Sequence, residues 1–156
     1  MEANSLGGAL EREHRQIDGG IEAYLAGLDG AADPEPLRSA LDGLRRHIYL
    51  EEEFLFPPLK AAGLMGPILV MLREHGQLWT SMDNVEQLLA DGADTAARRE
   101  ACTALLALLD AHNSKEEPII YTQADATLSE EAGSELADFL ARGTTPEGWV
   151  CSAAAR

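Results

Sequence analysis

The sequence predicts an all-α protein, an antiparallel up-down-up-down four-helix bundle with a short additional C-terminal helix. Three observations carry that prediction. Four long segments repeat apolar residues at three- and four-residue spacing, the period of helices that bury one stripe. The breaks between them are short, and short connections favour antiparallel neighbours. The chain also echoes itself: REH followed after two intervening residues by an aliphatic one (REHRQI and REHGQL) surrounds both His14 and His75. His47 and His112 are each followed at +4 and +5 by a pair of glutamates, so each half reads as a helix pair bearing H…HxxxEE.

The first stripe, Leu6, Leu10, His14, Ile17, Ile21, Leu25 and Leu28, stops before Gly30 and predicts a helix over residues 5–29. The second, Leu37, Leu41, Leu44, Ile48, Glu51 and Leu55, is entered through Asp33 and Pro34 and ends at or just beyond Pro57–Pro58. The third runs Leu64, Ile68, Leu72, His75, Leu78, Met82, Val85 and Leu89, between Gly63 and Asp91-Gly92. The fourth starts at Asp94 or Thr95 and runs Ala101, Leu105, Leu108, His112, Glu116 and Ile119, with Pro118 distorting its end. In a shorter fifth segment Thr127 and Glu130 form a capping box ahead of Leu136, Phe139 and Leu140. Residues 1–142 are expected to form one metal-binding domain, and 143–156 an irregular tail.

A length of 156 residues suits one domain with a core large enough to stand without disulfides. The net charge of −15, with only twelve Lys and Arg, argues against nucleic acid as a partner, because that affinity rests on cationic side chains displacing counterions. No basic segment leads into an apolar run at the start, and no stretch approaches about 18 apolar residues, so neither export nor membrane insertion is expected. Cys102 and Cys151 are isolated from each other and lack CxxC spacing, which fits a reducing cytoplasm. Cys102 is expected in the core and Cys151 in a mobile tail.

The chain has four histidines, and each falls in the apolar stripe of a different predicted helix. One such histidine would ordinarily be a hydrogen-bonded core residue. Four in one core, without a cation, would leave many ring nitrogens seeking partners, at roughly 1–3 kcal/mol for each left unsatisfied. Glu51 lies four residues after His47, and Glu116 four after His112; that spacing stacks the two side chains on one helical face, able to grip a common ion. Glu52, Glu53 and Glu117 lie off the stripe and are assigned to the solvated face. Trp79 and Phe54 are assigned to packing. Tyr121 and Tyr49 are weighed as phenolate ligands and left out of the site; Tyr49 lies about 200° around the helix from His47.

Imidazole and carboxylate donors without thiolate suit iron, manganese or zinc. Six ligands exceed what one tetrahedral zinc takes. Two six-coordinate ions offer twelve positions: the histidines fill four, two bridging glutamates four, and a bridging oxo or hydroxo two. Two positions stay open to a small molecule.

The pattern His14, His47-x-x-x-Glu51, His75 and His112-x-x-x-Glu116, with Phe56-Pro57 after the first HxxxEE, resembles the haemerythrin or HHE cation-binding domain over roughly residues 6–125. The resemblance implies two Fe ions, oxo- or hydroxo-bridged, with Glu51 and Glu116 bridging and His14, His47, His75 and His112 terminal; Zn and Mn rank behind iron. Haemerythrins that carry oxygen reversibly have a fifth histidine four residues from another on the third helix. Here Met71 and Trp79 stand at those distances from His75. The four-His, two-Glu set is more similar to haemerythrin-like domains of bacterial proteins that repair nitrosatively damaged iron centres, and to the iron-sensing domain of an F-box ubiquitin ligase subunit. The implied function is a cytoplasmic di-iron protein that binds or reduces a small oxidant (O2, H2O2 or NO) in sensing or stress defence. The alternatives are a non-catalytic iron sensor or store, and a structural bundle with adventitious metal.

Overall fold

Oxygen-bearing side chains set three of the helix starts. The Ser5 hydroxyl accepts from the Gly8 N–H, Asp94 from Ala97, and Ser129 from Ala132, each answering one of the N–H groups a helix start leaves unpaired. The computed structural model describes residues 5–154, so residues 1–4 of the expected domain and 155–156 of the expected tail lie outside the described residues. The elements are α1 (Leu6–Ala26), α2 (Glu35–Leu50), α3 (Phe56–Ala61), α4 (Met65–Ala90), α5 (Thr95–Glu116), α6 (Thr122–Thr127) and α7 (Glu130–Arg142), with π turns at Glu51–Leu55 and Glu117–Tyr121. No strand occurs among the described residues.

Local chemistry moves several expected boundaries. α1 ends at Ala26 rather than near residue 29, because the Gly27 N–H folds back onto the Leu25 and Tyr24 carbonyls. At the entrance to α2 the Asp33 carboxylate accepts from the Glu35 N–H across Pro34, the bond of the expected cap, while the helix itself runs from Glu35. The expected capping box at Thr127 is replaced by the Ser129 cap, since Thr127 closes α6 and its hydroxyl bonds Gln123. Pro118 does distort the fourth helix, but without ending it. Lacking an N–H, it makes no i→i−4 bond, and the ladder widens into the second π turn before α6 continues. The first π turn likewise precedes Pro57 and Pro58 and is closed by the Phe56 N–H on the Glu51 carbonyl.

The core splits into two apolar clusters. One gathers Ile17, Ile21, Tyr24, Leu41, Leu44, Leu78, Met82, Leu105 and Leu109; the other gathers Leu10, Leu50, Leu55, Phe56, Ile68, Met71, Ile120 and Leu136. Along each long helix the polar residues of interest fall between the two. α1 packs on α2 and α5, and α4 on α5 and α2. Registers run in opposed numerical order: Gly20 meets Pro36 and Ala40, Ile17 meets Gly43, and Glu13 meets Arg46 and His47. Between α2 and α4, Arg45 reaches Asp83 while Glu52 reaches His75.

α7 and the tail are fastened back onto this frame. Arg46 donates to the carbonyls of Phe139, Leu140 and Gly143, taking up the unpaired end of α7. In the tail, Trp149 packs edge-on against Trp79 and Tyr49, and Ala153 sits against Gly76, where a Cβ would come within 2.8 Å of the Ala153 Cβ. Cys151 is therefore buried in the core, against the expectation of a mobile tail; Cys102 is buried as expected. Among the described residues no helix is long and apolar enough to cross a membrane.

Gly19 and Gly20 give a paired test of the α1–α2 approach. A Cβ at Gly20 would lie 2.7 Å from the Pro36 carbonyl oxygen, whereas one at Gly19 meets nothing within 4 Å. By urea unfolding, Gly20→Ala is expected to destabilise by about 1–3 kcal/mol, and Gly19→Ala to stabilise by roughly 0.5–1 kcal/mol through helix propensity.

Candidate metal centre

α1, α2, α4 and α5 each contribute one histidine to the layer between the clusters; the start of the first π turn contributes Glu51, and the last residue of α5, just before the second π turn, contributes Glu116. All six residues expected from the sequence come together there, buried. Their ligand atoms form two groups sharing both carboxylates: His14, His47, Glu51 and Glu116, and then Glu51, His75, His112 and Glu116. Within each group the atoms lie within 4.8 Å of one another. Each imidazole turns Nε2 inward: His47 Nε2 is 3.1 Å from Glu51 Oε2, His75 Nε2 3.0 Å from Glu51 Oε1, His14 Nε2 3.2 Å and His112 Nε2 3.4 Å from Glu116 Oε1.

Each imidazole also turns Nδ1 outward onto a second carboxylate. The pairs are His14 with Glu117 at 2.7 Å, His47 with Glu13 at 2.8 Å, His75 with Glu52 at 2.8 Å and His112 with Glu74 at 2.9 Å. An Nδ1–H held this way fixes the ring and its tautomer, leaving Nε2 free to bind a cation, the arrangement usual for metal-ligating histidine. Outer donors hold three of these carboxylates in turn: Arg46 on Glu13, Lys115 on Glu74, and the Ser152 N–H on Glu52.

The donor set fits a metal on a further observation. Glu51 Oε1, His75 Nε2 and Glu116 Oε2 are buried and make no hydrogen bond. Buried polar atoms are seldom left so, and three at one spot are the natural ligands of an ion. The model of the hemerythrin HHE cation binding domain matches residues 7–124, most of the chain.

The chain belongs to the hemerythrin HHE cation-binding domain family.

No curated protein and no solved structure matches it. Within this hemerythrin-like domain two expectations need correction. Glu52 and Glu117 do not belong to a solvated face; the residue after each of Glu51 and Glu116 points to the neighbouring helix and holds its histidine. Glu53 is exposed, as expected. Glu13 and Glu74 were not singled out in the sequence, although the REH repeat carries both. Each lies beside one histidine in sequence and bonds the histidine of the next helix instead.

Tyr121, set aside in the sequence, stands in the middle of the centre. Its hydroxyl lies 2.8 Å from both His14 Nε2 and His47 Nε2, 2.5 Å from Glu51 Oε2 and 3.0 Å from Glu116 Oε1. In an α-helix, residue 121 would sit about 140° around from Glu116 at roughly 100° per residue. The i→i+5 bonding of the π turn brings the two onto one face. Trp79 and Phe54, by contrast, are packing residues: Arg45 lies over Trp79, and Phe54 rests on Phe139 and Tyr49.

Burial alone would drive the histidines neutral, but the carboxylates override it. His47 rises to about 10 through Glu51 and Glu13, and His75 to about 9 through Glu51 and Glu52. Burial and the neighbouring carboxylate raise Glu51, yet His47 and His75 leave it below its usual value; Glu116, held by His112 and His14, falls well below. Burial, with both carboxylates, pushes the Tyr121 hydroxyl well above 10.

Two tests follow for the centre. A histidine whose folded pKa is raised stabilises the fold fully below its unfolded value of 6.5, and that stability is lost as pH climbs through the folded value. The metal-free protein is therefore expected to lose stability steadily between pH 6.5 and about 9 to 10, read as a falling urea midpoint. Glu52→Ala, which removes the partner of His75, is expected to weaken metal binding about 10- to 100-fold by competition with a chelator.

Proposed function

We propose that this chain is a di-iron protein whose two ions are held by His14, His47, Glu51, His75, His112 and Glu116, with the two glutamates bridging. The reading rests on one arrangement: four imidazoles, each with Nδ1 on an outer carboxylate and Nε2 turned to two shared, fully buried glutamates, with one oxygen of each glutamate and His75 Nε2 left without a hydrogen bond. The supporting frame is an antiparallel up-down-up-down bundle of α1, α2, α4 and α5, favoured by the opposed order of the interhelical contacts. Residues 1–142 constitute the metal domain and 143–156 a tail, whose described part, 143–154, is folded onto it. The free thiols of Cys102 and Cys151 suit a reducing cytoplasm.

Two bound irons would supply a redox pair able to take up a small oxidant, O2, H2O2 or NO, and pass electrons to it. The chain's own residues do the rest. Glu51 and Glu116 balance the cationic charge in a setting with almost no water. Glu13, Glu52, Glu74 and Glu117 keep the imidazoles aimed inward. The apolar clusters on both sides shield the centre from solvent. We assign the protein to oxidant binding or reduction in sensing or stress defence.

A second reading, a non-catalytic iron sensor, is favoured by the fastening of α7 and the tail to the outer carboxylates through Arg46 and Ser152. Under it, loss of iron would loosen those elements, because metal binding is coupled to folding. Anaerobically reduced, iron-loaded protein separates the two. Stoichiometric or catalytic loss of added H2O2 or NO, abolished in Glu51→Gln/Glu116→Gln, supports the redox reading. No consumption, together with a large gain in protease cleavage near α7 and the tail on iron removal, supports the sensor.

A further inference from the structure

The repeat that builds the centre is broken at one position. Pairing the halves sets α1 against α4 and α2 against α5, so that His14 corresponds to His75, His47 to His112, Glu51 to Glu116, Glu13 to Glu74 and Glu52 to Glu117. The π turns begin one residue apart in the two halves, at Glu51 itself in the first and at Glu117, the residue after Glu116, in the second. Five residues after the bridging-position glutamate the halves differ: Phe56 follows Glu51, and Tyr121 follows Glu116. The two rings occupy equivalent places. Phe56 stacks on His75 at 5.4 Å between centroids, and Tyr121 lies against His14 at 5.2 Å. The difference between the halves here is one hydroxyl.

That hydroxyl makes the two ion positions unequal. On the His14/His47 side the Tyr121 oxygen sits 2.5–3.0 Å from all four ligand atoms of the group. Mutually adjacent ligands of one ion stand at about such separations when each is roughly 2.0–2.2 Å from the metal. On the His75/His112 side no counterpart exists, and two of the buried atoms without a hydrogen bond lie there, His75 Nε2 and Glu51 Oε1. The residues that surround Tyr121 leave it no other partner; it is fully buried among Leu10, Ile120 and Ala124.

We propose that Tyr121 is a seventh ligand, binding through its phenolic oxygen the ion held by His14 and His47, so that the free coordination position for a small molecule lies on the ion held by His75 and His112. This rests on the two-ion reading above. Of the two positions that the six-residue set leaves open, Tyr121 takes one. A phenolic oxygen, like a carboxylate, is an oxygen donor that fits an N/O-ligated iron site better than a soft one. As the metal–oxygen bond forms, the O–H bond breaks and the proton leaves to solvent, as happens generally when protein ligands bind metal. No change in oxidation state is involved.

The test is the visible and resonance Raman spectrum of the diferric wild type and of Tyr121→Phe, each with its iron content measured. Phe56 shows that a phenyl ring fits the equivalent place, and only the hydroxyl is removed. The expected result is two irons in both proteins, with a phenolate-to-iron charge-transfer band and enhanced tyrosinate ring vibrations in the wild type that are lost in the variant. Two irons in the wild type without those vibrations would overturn the proposal and leave the two-ion reading standing, Tyr121 then being a hydrogen-bond donor to Glu51. Fewer than two irons in the wild type would overturn both. The wild-type spectrum decides the matter even if the variant does not fold.

Discussion

Glu51 and Glu116 have no solvent exposure and share one level of the helix core. An ionised carboxylate taken out of water loses several kcal/mol of solvation unless nearby charges and hydrogen bonds replace it. Here two of them are set side by side. Four imidazoles surround the pair, and a further ring of four carboxylates faces those imidazoles. Counted from the inside, charge alternates: acid, imidazole, acid, and then Arg46, Lys115 or a backbone N–H. The two cations proposed for the centre complete this alternation, and in the metal-free protein protons on His47, His75 and His112, held there by the carboxylates, approximate it.

The apolar residues adapt to that layer instead of crossing it. Each long helix carries apolar residues on either side of its histidine, and the two clusters they form close the layer above and below. The two π turns sit where the layer meets the second cluster. Each brings a residue five positions past a glutamate onto the inner face, once as Phe56 and once as Tyr121. A single sequence device, used twice with different side chains, thus makes a nearly two-fold arrangement chemically one-sided.

The helices and six inner residues were legible because both follow the α-helical period: histidines in the apolar stripe, and glutamates at i+4 where a stripe residue would be. The outer carboxylates were harder to read. Glu13 and Glu74 stand beside the stripe, and a residue there faces either solvent or the next helix according to interhelical packing, which sequence periodicity does not encode. The same ambiguity placed Glu52 and Glu117 on the solvated face. Their presence in both copies of the repeat was the available signal. Tyr121 was hidden by arithmetic: at 100° per residue it falls off the face of Glu116, and only the π turn restores it. Pro118 marked the distortion without indicating that the helix would widen. Cys151 was misplaced because the tail's docking depends on the gap left by Gly76 and on Trp149 meeting Trp79, contacts between residues seventy or more positions apart in sequence.

The central claim is that the polar layer holds two irons, and metal content answers it most directly. Protein purified without added metal, and again after anaerobic iron loading, should contain about two irons per chain, with oxo-to-iron charge-transfer absorption in the near ultraviolet that bleaches on dithionite reduction. One zinc, or no metal, with no such absorption after iron loading, would contradict the account: the buried carboxylates would then be balanced by protonated histidines alone, and the layer would be a structural feature of the bundle.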